Sequence, residues 1–317
     1  MPTLSRPRRG SLQFWPRKRA RKALPRVNWS AIPSENSKGL KGFICYKAGM
    51  ASAYVKDSTE DSMTKGKEIV VPVTILECPT LKIFSVRFYK NKKVAKDILS
   101  ENLDKELKKK VKIPKQNKAK LDDVKIEEYD DVAVIAYSQV KKTEIKKTPD
   151  LIEIGLTGQD ITEKMAWIKE NLTKEIAVSD IFEVGKLVDV RGLTKGKGFS
   201  GPVKRFGIKL RFHKSEKGLR KVGSIAPWHP ARVTFRTPMA GQLGMFTRVV
   251  YNNKIIDLAK ADDKPIANIK NYGNVHNEYL VVAGSVQGSA KRQLLITAPL
   301  RETKKQNKKA FELVALR

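Results

Sequence analysis

The sequence predicts a mainly β fold with an α/β insertion and long irregular basic extensions. Three observations predict it. Runs rich in β-branched and aromatic residues lie on both sides of a middle third of different character. That middle third, residues 91–180, has 19 basic and 18 acidic residues and helical apolar spacing in two places. The stretches interrupted by glycine and proline hold most of the remaining charge. The 317 residues carry 64 Lys+Arg against 33 Asp+Glu, a formal net charge of +31. A hydrophobic share of 40% is enough for a real core, so the chain is not wholly disordered.

Residues 1–26 hold nine basic residues and no acidic one. Pro7, Pro16, Pro25 and Gly10 break any period, so this is an irregular basic arm. Within residues 39–90, GFICYKAGMASAYV, EIVVPVTILEC and TLKIFSVRFY read as strands, the last two separated by Pro79. In 91–180, Val94, Ile98, Leu103 and Leu107 recur at roughly helical spacing. Asp160-Ile-Thr-Glu163 resembles a capping box that opens a second helix with Ile161, Met165, Ile168 and Leu172 on one face. Between the two, residues 132–136 (VAVIA) read as a buried strand. Residues 182–191 begin as a strand.

From 190 to 248 there are 14 basic residues and one acidic residue, Glu216. Phe199, Phe206, Phe212, Trp228, Phe235 and Phe246 are scattered among recurring glycines and prolines. The segment is too polar and interrupted to make its own core, and a structureless loop of this length in water is improbable. Packed into RNA it makes sense: cations neutralise phosphates, glycines permit close backbone approach, and aromatics stack on bases. RVVYNNKIIDLA, EYLVVAGSV and RQLLITAPL then read as strands, and 301–317 as a basic tail.

Composition also excludes classes. Cys45 and Cys78 are too few for a disulfide framework and suit a reducing compartment as small core residues. No run of about 18 apolar residues could span a membrane. The basic N-terminus lacks the apolar stretch of a secretory signal, and no amphipathic basic helix suggests a membrane surface.

Gly196-Lys-Gly198-Phe-Ser-Gly201 matches GxGxxG, but Pro202 and VKRFG follow without an amphipathic period to open a phosphate-holding helix. Kinase HRD and DFG tripeptides, a P-loop and a GxSxG elbow are all missing from the sequence. His213, His229 and His276 with two distant cysteines give no zinc spacing. His213 and His229 suit hydrogen bonding to RNA, and His276 suits a structural turn. Asp122–Asp123, Glu127–Glu128 and Asp130–Asp131 read as a solvated acidic stretch rather than acid–base pairs. The expectation is therefore a chain with no catalytic residue, metal or cofactor. Pro227-Trp228-His229-Pro230 sets a large aromatic between two prolines, as at a rigid tip shown to a partner.

Several motifs in order resemble one family. They are Arg6-Pro-Arg-Arg-Gly-Ser-Leu, Gly42-Phe with Tyr46-Lys-Ala-Gly-Met50, and Asp189-Val-Arg-Gly-Leu-Thr-Lys-Gly-Lys-Gly198. Gly201-Pro-Val-Lys-Arg205, Pro227-Trp-His-Pro-Ala-Arg232 and Ala240-Gly-Gln242 follow. Together they resemble the universal large-subunit ribosomal L-three family in its archaeal/eukaryotic form, over essentially the whole chain. The resemblance implies a six-stranded β-barrel of the translation-protein type, built from 39–90 and 181–300. Residues 1–38 would be the arm, 91–180 the insertion, 190–248 a central extension of the barrel, and 301–317 the tail.

It also implies a structural, non-enzymatic constituent of the large subunit in the cytoplasm. Such a protein binds 23S-class rRNA, acts early in assembly, and contacts neighbouring ribosomal proteins as a monomer. Its extension reaches toward the peptidyl transferase centre, with Trp228 and His229 at the inner tip. Expected rRNA-binding residues are Arg6, Arg8, Arg9, Arg17, Lys18 and Arg19 in the arm. In the extension they are Arg191, Lys195, Lys197, Lys204, Arg205, Arg220, Lys221, Trp228, His229, Arg232, Gln242 and Arg248. One departure is visible: Ser215-Glu216-Lys217 precede Gly218-Leu-Arg-Lys221, where eukaryotic members carry a histidine. A function tied to that histidine does not transfer.

Two other classes compete. An RNA-modifying enzyme would need a nucleophile, base or cofactor loop, and would reveal itself by turnover lost on changing one polar residue. A chromatin-type packer would prefer duplex DNA to structured rRNA.

Overall fold

The computed structural model describes residues 8–33, 39–114, 121 and 124–317. Arg6, Asp122 and Asp123 lie outside the described residues. In chain order the strands and helices are β1 (Gly42–Asp57), β2 (Glu68–Cys78), β3 (Leu81–Lys90), β4 (Lys93–Leu99), β5 (Asp131–Ser138) and β6 (Leu151–Gly155). Then come α1 (Ile161–Asn171), β7 (Leu187–Leu193), β8 (Phe199–Ser200), α2 (Pro202–Phe206), β9 (Gly241–Gln242) and β10 (Thr247–Ala259). The chain finishes with β11 (Glu278–Ala283), β12 (Gln293–Thr297), α3 (Lys304–Asn307) and β13 (Phe311–Leu316). The fold is mainly β, as the β-branched runs predict. It divides into two compact units: a body of residues 24–192 and 249–317, and a basic unit of residues up to 23 together with 193–248.

The body holds a seven-stranded sheet in the order β12-β7-β10-β11-β2-β1-β13, and β12 pairs with β1 as well. The 16-residue β1 makes both ends possible. Its first residues run antiparallel to β12, from Gly42 opposite Thr297 to Tyr46 opposite Gln293. Its last residues pair with β13, from Ala53 opposite Leu316 to Asp57 opposite Phe311. The first seven residues of β1 are buried without alternation, because apolar layers cover both faces there. Cys45 and Cys78 are buried free thiols, in keeping with core positions.

The second body sheet has the order β4-β3-β5-β6. α1 begins after Asp160 as the capping pattern predicts and buries Met165 and Ile168, although the Asp160 side chain makes no cap hydrogen bond. Four readings change. β3, read with the first β region, pairs with β4 and β5 instead. Pro79, at the end of β2, lacks the N–H a ladder would need, and the next strand starts a new sheet. The helix read from Val94, Ile98, Leu103 and Leu107 is instead the strand β4, followed by a 3-10 turn at Lys105–Lys109 that buries Leu107. Asn91 and Lys92 both take positive φ, 51° and 60°, and form a two-residue hairpin turn that sets Lys90 opposite Lys93. β7 starts at Leu187 rather than 182, because the Ile181 and Phe182 amides both bond back to the Val178 carbonyl. The tail 301–317 contains β13, whose Phe311 and Leu313 pack on the core.

Buried carboxylates fix the connections. Glu77 is fully buried and accepts from the His276 amide at 2.9 Å, the Asn277 amide at 3.1 Å, the Asn277 side chain at 2.9 Å, and the Tyr272 hydroxyl. It ties the 272–277 turn to β2 and satisfies groups that would otherwise be buried unpaired. His276 joins this turn through its backbone amide, and its part-exposed ring lies 3.6 Å from Glu144. Asp189, fully buried on β7, accepts the amides of Asn252 at 2.9 Å and Leu300 at 3.0 Å. Burial pushes its carboxyl pKa up, and those two amides and Arg191 pull against that.

Candidate nucleic-acid interface

The basic unit starts as a narrow ladder. The Thr194 amide donates to the Phe246 carbonyl at 3.0 Å, Lys197 to Leu243 at 2.9 Å, and Leu243 to Gly198 at 2.8 Å. β8 and β9 extend it, with Phe199 opposite Gln242. Gly244 makes the approach possible: at φ +79°, an added Cβ would lie 2.0 Å from the Lys195 carbonyl oxygen. α2 follows, so GxGxxG does precede a helix, contrary to the sequence reading. Pro202 at its first position supplies the helical φ, and Gly207 at φ +65° ends it after five residues. Only the two-residue β8 precedes it, so no strand–loop–helix nucleotide unit forms.

The unit does have a small core, which the sequence reading excluded. The Trp15 and Phe206 rings stack with centroids 5.5 Å apart, and Phe235 meets Trp15 edge-on at 6.0 Å. The Arg17 and Arg205 guanidiniums lie 4.3 and 5.1 Å from the Phe206 centroid. Gly10 at φ +84° brings the arm so close that an added Cβ would meet the Phe206 ring at 2.6 Å. Phe206 and Phe246 are therefore buried packing residues, not free stacking platforms. Phe199 and Phe212 stay 82% and 67% exposed.

Arginines lace arm to extension through carbonyl oxygens. Arg17 Nη1 donates to the Arg205 carbonyl at 2.6 Å, and Arg8 Nη2 to the Arg236 carbonyl at 2.7 Å. Arg205 closes the base of the loop, with Nε on the Gln242 carbonyl and Nη1 on the Met239 carbonyl, both at 2.9 Å. Arg248 stacks 4.2 Å over Phe14, and the Gln242 side chain donates to the Leu243 and Gly244 carbonyls. Burial lowers the pKa of Arg17, Arg205 and Arg248 from the usual guanidinium value. A carbonyl or a ring holds a guanidinium without neutralising it, so each keeps its charge.

The predicted site residues thus fall into three groups. Arg8, Arg9, Lys18, Arg19, Lys195, Lys197, Lys204, Arg220, Lys221, Trp228, His229 and Arg232 are exposed in the basic unit. Arg17, Arg205, Gln242 and Arg248 are half-buried and build the same unit. Arg191 belongs to the body, where its Nε donates to the Thr297 hydroxyl at 3.2 Å. Trp228 is 87% exposed, between Pro227 and the cis-bonded Pro230. Thr237 steadies the neighbouring chain by donating to the Ile225 carbonyl at 2.9 Å. Sequence reasoning missed Phe14 and Trp15, the arm's two aromatics. The available signal was two adjacent aromatics, with Leu12 just before them, between Gly10 and Pro16 in an otherwise basic arm. It also missed Lys209 and Arg211, which line a basic cleft with Arg9 and Lys221.

Among the described residues no helix is long and apolar enough to cross a membrane, and no cluster of three metal-ligating side chains occurs. Comparison with known proteins agrees over the whole length. The chain is 40% identical over 312 residues to the large ribosomal subunit protein uL3 of Methanocaldococcus jannaschii, covering 94% of this chain and 92% of that one. It is 41% identical over 310 residues to the protein of the same name from Methanococcus maripaludis, with the same coverage. To that of Methanothrix thermoacetophila it is 39% identical over 315 residues, 95% of this chain and 93% of that one. Residues 1–317 match the family described as ribosomal protein L3. The chain belongs to the ribosomal protein L3 family, a family of structural proteins rather than enzymes.

Proposed function

We propose that the chain is a structural constituent of the large ribosomal subunit that anchors its basic unit in 23S-class rRNA. The names of its archaeal relatives support the subunit. The observation that carries rRNA binding is the basic unit itself. Residues 190–248 hold 14 basic residues against one acidic, and Arg205 and Arg248 there, like Arg17 of the arm, are seated on carbonyls and rings that leave their charge intact. Phosphates complete them. In this reading the exposed cations of the arm and extension contact phosphates. Trp228 and His229 form the inner tip, directed toward the peptidyl transferase centre. The protein acts early in assembly, as a monomer beside other large-subunit proteins.

For the body we infer a six-stranded barrel of the translation-protein type. Pairing runs β1-β2-β11-β10-β7-β12 and returns from β12 to β1, which supports closure. Residues 81–180 form the insertion on this reading, and the barrel carries 190–248 as its extension.

The test is affinity of the full chain for an rRNA fragment as a function of salt. Each phosphate contact adds about −0.9 to the log–log slope on duplex and −0.7 on single strands. A steep dependence, with co-sedimentation on large subunits through a high-salt wash, is expected. A flat dependence, or stronger binding to duplex DNA than to rRNA, overturns the reading.

A further inference from the structure

The basic unit contains one cleft whose chemistry its own fold leaves incomplete. Phe14, Trp15, Arg17, Lys18, Phe246 and Arg248 line it, and its volume is about 230 Å³. Pockets for drug-sized ligands run from about 300 to 1,000 Å³, so this one suits a fragment of a larger molecule. Two lining residues carry N–H groups with no hydrogen-bond partner among the described residues, Trp15 Nε1 and Arg17 Nε. Both groups can only donate, so what they require is an acceptor. The surrounding charge has one sign: Arg17, Lys18 and Arg248 contribute cations, and among the described residues no carboxylate lines the cleft. Burial first, and then the neighbouring Arg205 and Arg248, lower the Arg17 pKa while it stays charged, a crowding of like charge that an anion would relieve.

The aromatic part narrows the class. Phe14 is 48% exposed, and the Arg248 guanidinium sits 4.2 Å from its ring centroid. A free phosphate or a carboxylate would meet the donors but leave this ring unused. A duplex presents phosphates but keeps its bases stacked inside. We propose that the cleft receives one unstacked nucleotide of single-stranded RNA, its phosphate accepting from Trp15 Nε1 and Arg17 Nε and its base lying on Phe14. This rests on the RNA-interface reading and names the state of the RNA the site selects. The two donors are covered in the free chain, so the acceptor reaches them through the side-chain rotations that interfaces commonly undergo.

The test uses the full chain with two probes: a single-stranded oligoribonucleotide of about ten nucleotides and a duplex of the same length. Trp15→Phe keeps the ring stack and removes the N–H; Phe14→Leu removes the exposed ring. Each is expected to weaken single-strand binding about five- to tenfold, and duplex binding less than about twofold. If Trp15→Phe unfolds the basic unit, Phe14→Leu at an exposed position still decides. Unchanged single-strand affinity, equal losses on both probes, or equal competition by an oligoglutamate of matched charge overturns the proposal. If the wild-type chain holds an rRNA fragment with a steep salt slope and both variants bind the single strand as wild type does, the nucleotide cleft fails alone. If the wild type shows no such binding, the broader reading fails first.

Discussion

The body and the basic unit handle the same kinds of charged side chain in opposite ways. In the body, Arg87 is gripped by Asp97 and Glu153, each at 2.8 Å, and Asp150 is met by Lys110, Lys146 and the Tyr46 hydroxyl. At these sites charge is cancelled where it stands, although Lys41, Lys47 and Lys254 of the body also donate to backbone carbonyls. In the basic unit, Arg8, Arg17 and Arg205 are anchored on backbone carbonyls, and Arg248 on Phe14. Their geometry is fixed while their charge remains. Pairing with a carboxylate builds a neutral surface; pairing with a carbonyl builds a rigid positive one. The sequence arithmetic follows the same line, since 91–180 sum to 19 − 18 = +1 and 190–248 to 14 − 1 = +13.

Substitutions can break this contrast. The largest effect is expected at Glu77→Ala, which strips the acceptor from the His276 and Asn277 amides, the Asn277 side chain and the Tyr272 hydroxyl inside the body. Urea unfolding should show a loss of about 3–5 kcal/mol, and a loss under about 1 kcal/mol would mean water replaces the carboxylate. Phe206→Ala should loosen the basic unit by about 3 kcal/mol, read as faster amide exchange across 193–248 with the body unchanged. Protection that falls equally in both units would deny that they are separate.

Alkaline pH tests the body alone. Burial is the main cause raising the phenol pKa values of Tyr46, Tyr89, Tyr137, Tyr272 and Tyr279, with Tyr89 pushed up to about 12. A folded pKa above the unfolded one means the native state holds more protons. The stabilisation is complete below about pH 10 and falls as pH rises through the folded pKa values. The slope is at most about 1.4 kcal/mol per pH unit for each phenol still protonated. Thermal midpoints measured from pH 9 to 12 should fall, and Tyr137→Phe should flatten the fall; an unaltered profile would remove Tyr137 from this account.

Smaller effects sharpen the contrast. Lys204→Ala should lower the salt slope on rRNA by about 0.7–0.9, whereas Lys169→Ala on α1 should leave it unchanged. Equal changes would place the insertion in the interface. Smallest in stability is Trp228→Ala, expected within about 0.5 kcal/mol of wild type because the ring is exposed. Its effect should appear only in assembled subunits, as altered peptidyl-transfer or A-site behaviour. Loss of monomer stability would make Trp228 a core residue.

The strands of the main sheet and α1 were legible because apolar periodicity is a local signal. β4 was misread because Val94 and Ile98 fit a helix face equally well, and its hairpin turn is Asn91-Lys92 rather than the more telling Asn-Gly. β13 was hidden by the lysines before it. The exposure of Trp228 was legible from its two flanking prolines. The Trp15–Phe206 stack was not, because no local pattern links residues that far apart in sequence.

That separation bears on how the chain is made. Arg8 is bonded to a carbonyl 228 positions downstream, and Arg17 to one 188 positions downstream. At about 5–20 residues per second, the arm waits roughly 10–45 s on a translating ribosome for its partners. Through that interval it is a cationic strand with no fold to join. Whatever escorts it then, an RNA or a chaperone, meets an arm whose arginines have not yet been given their places.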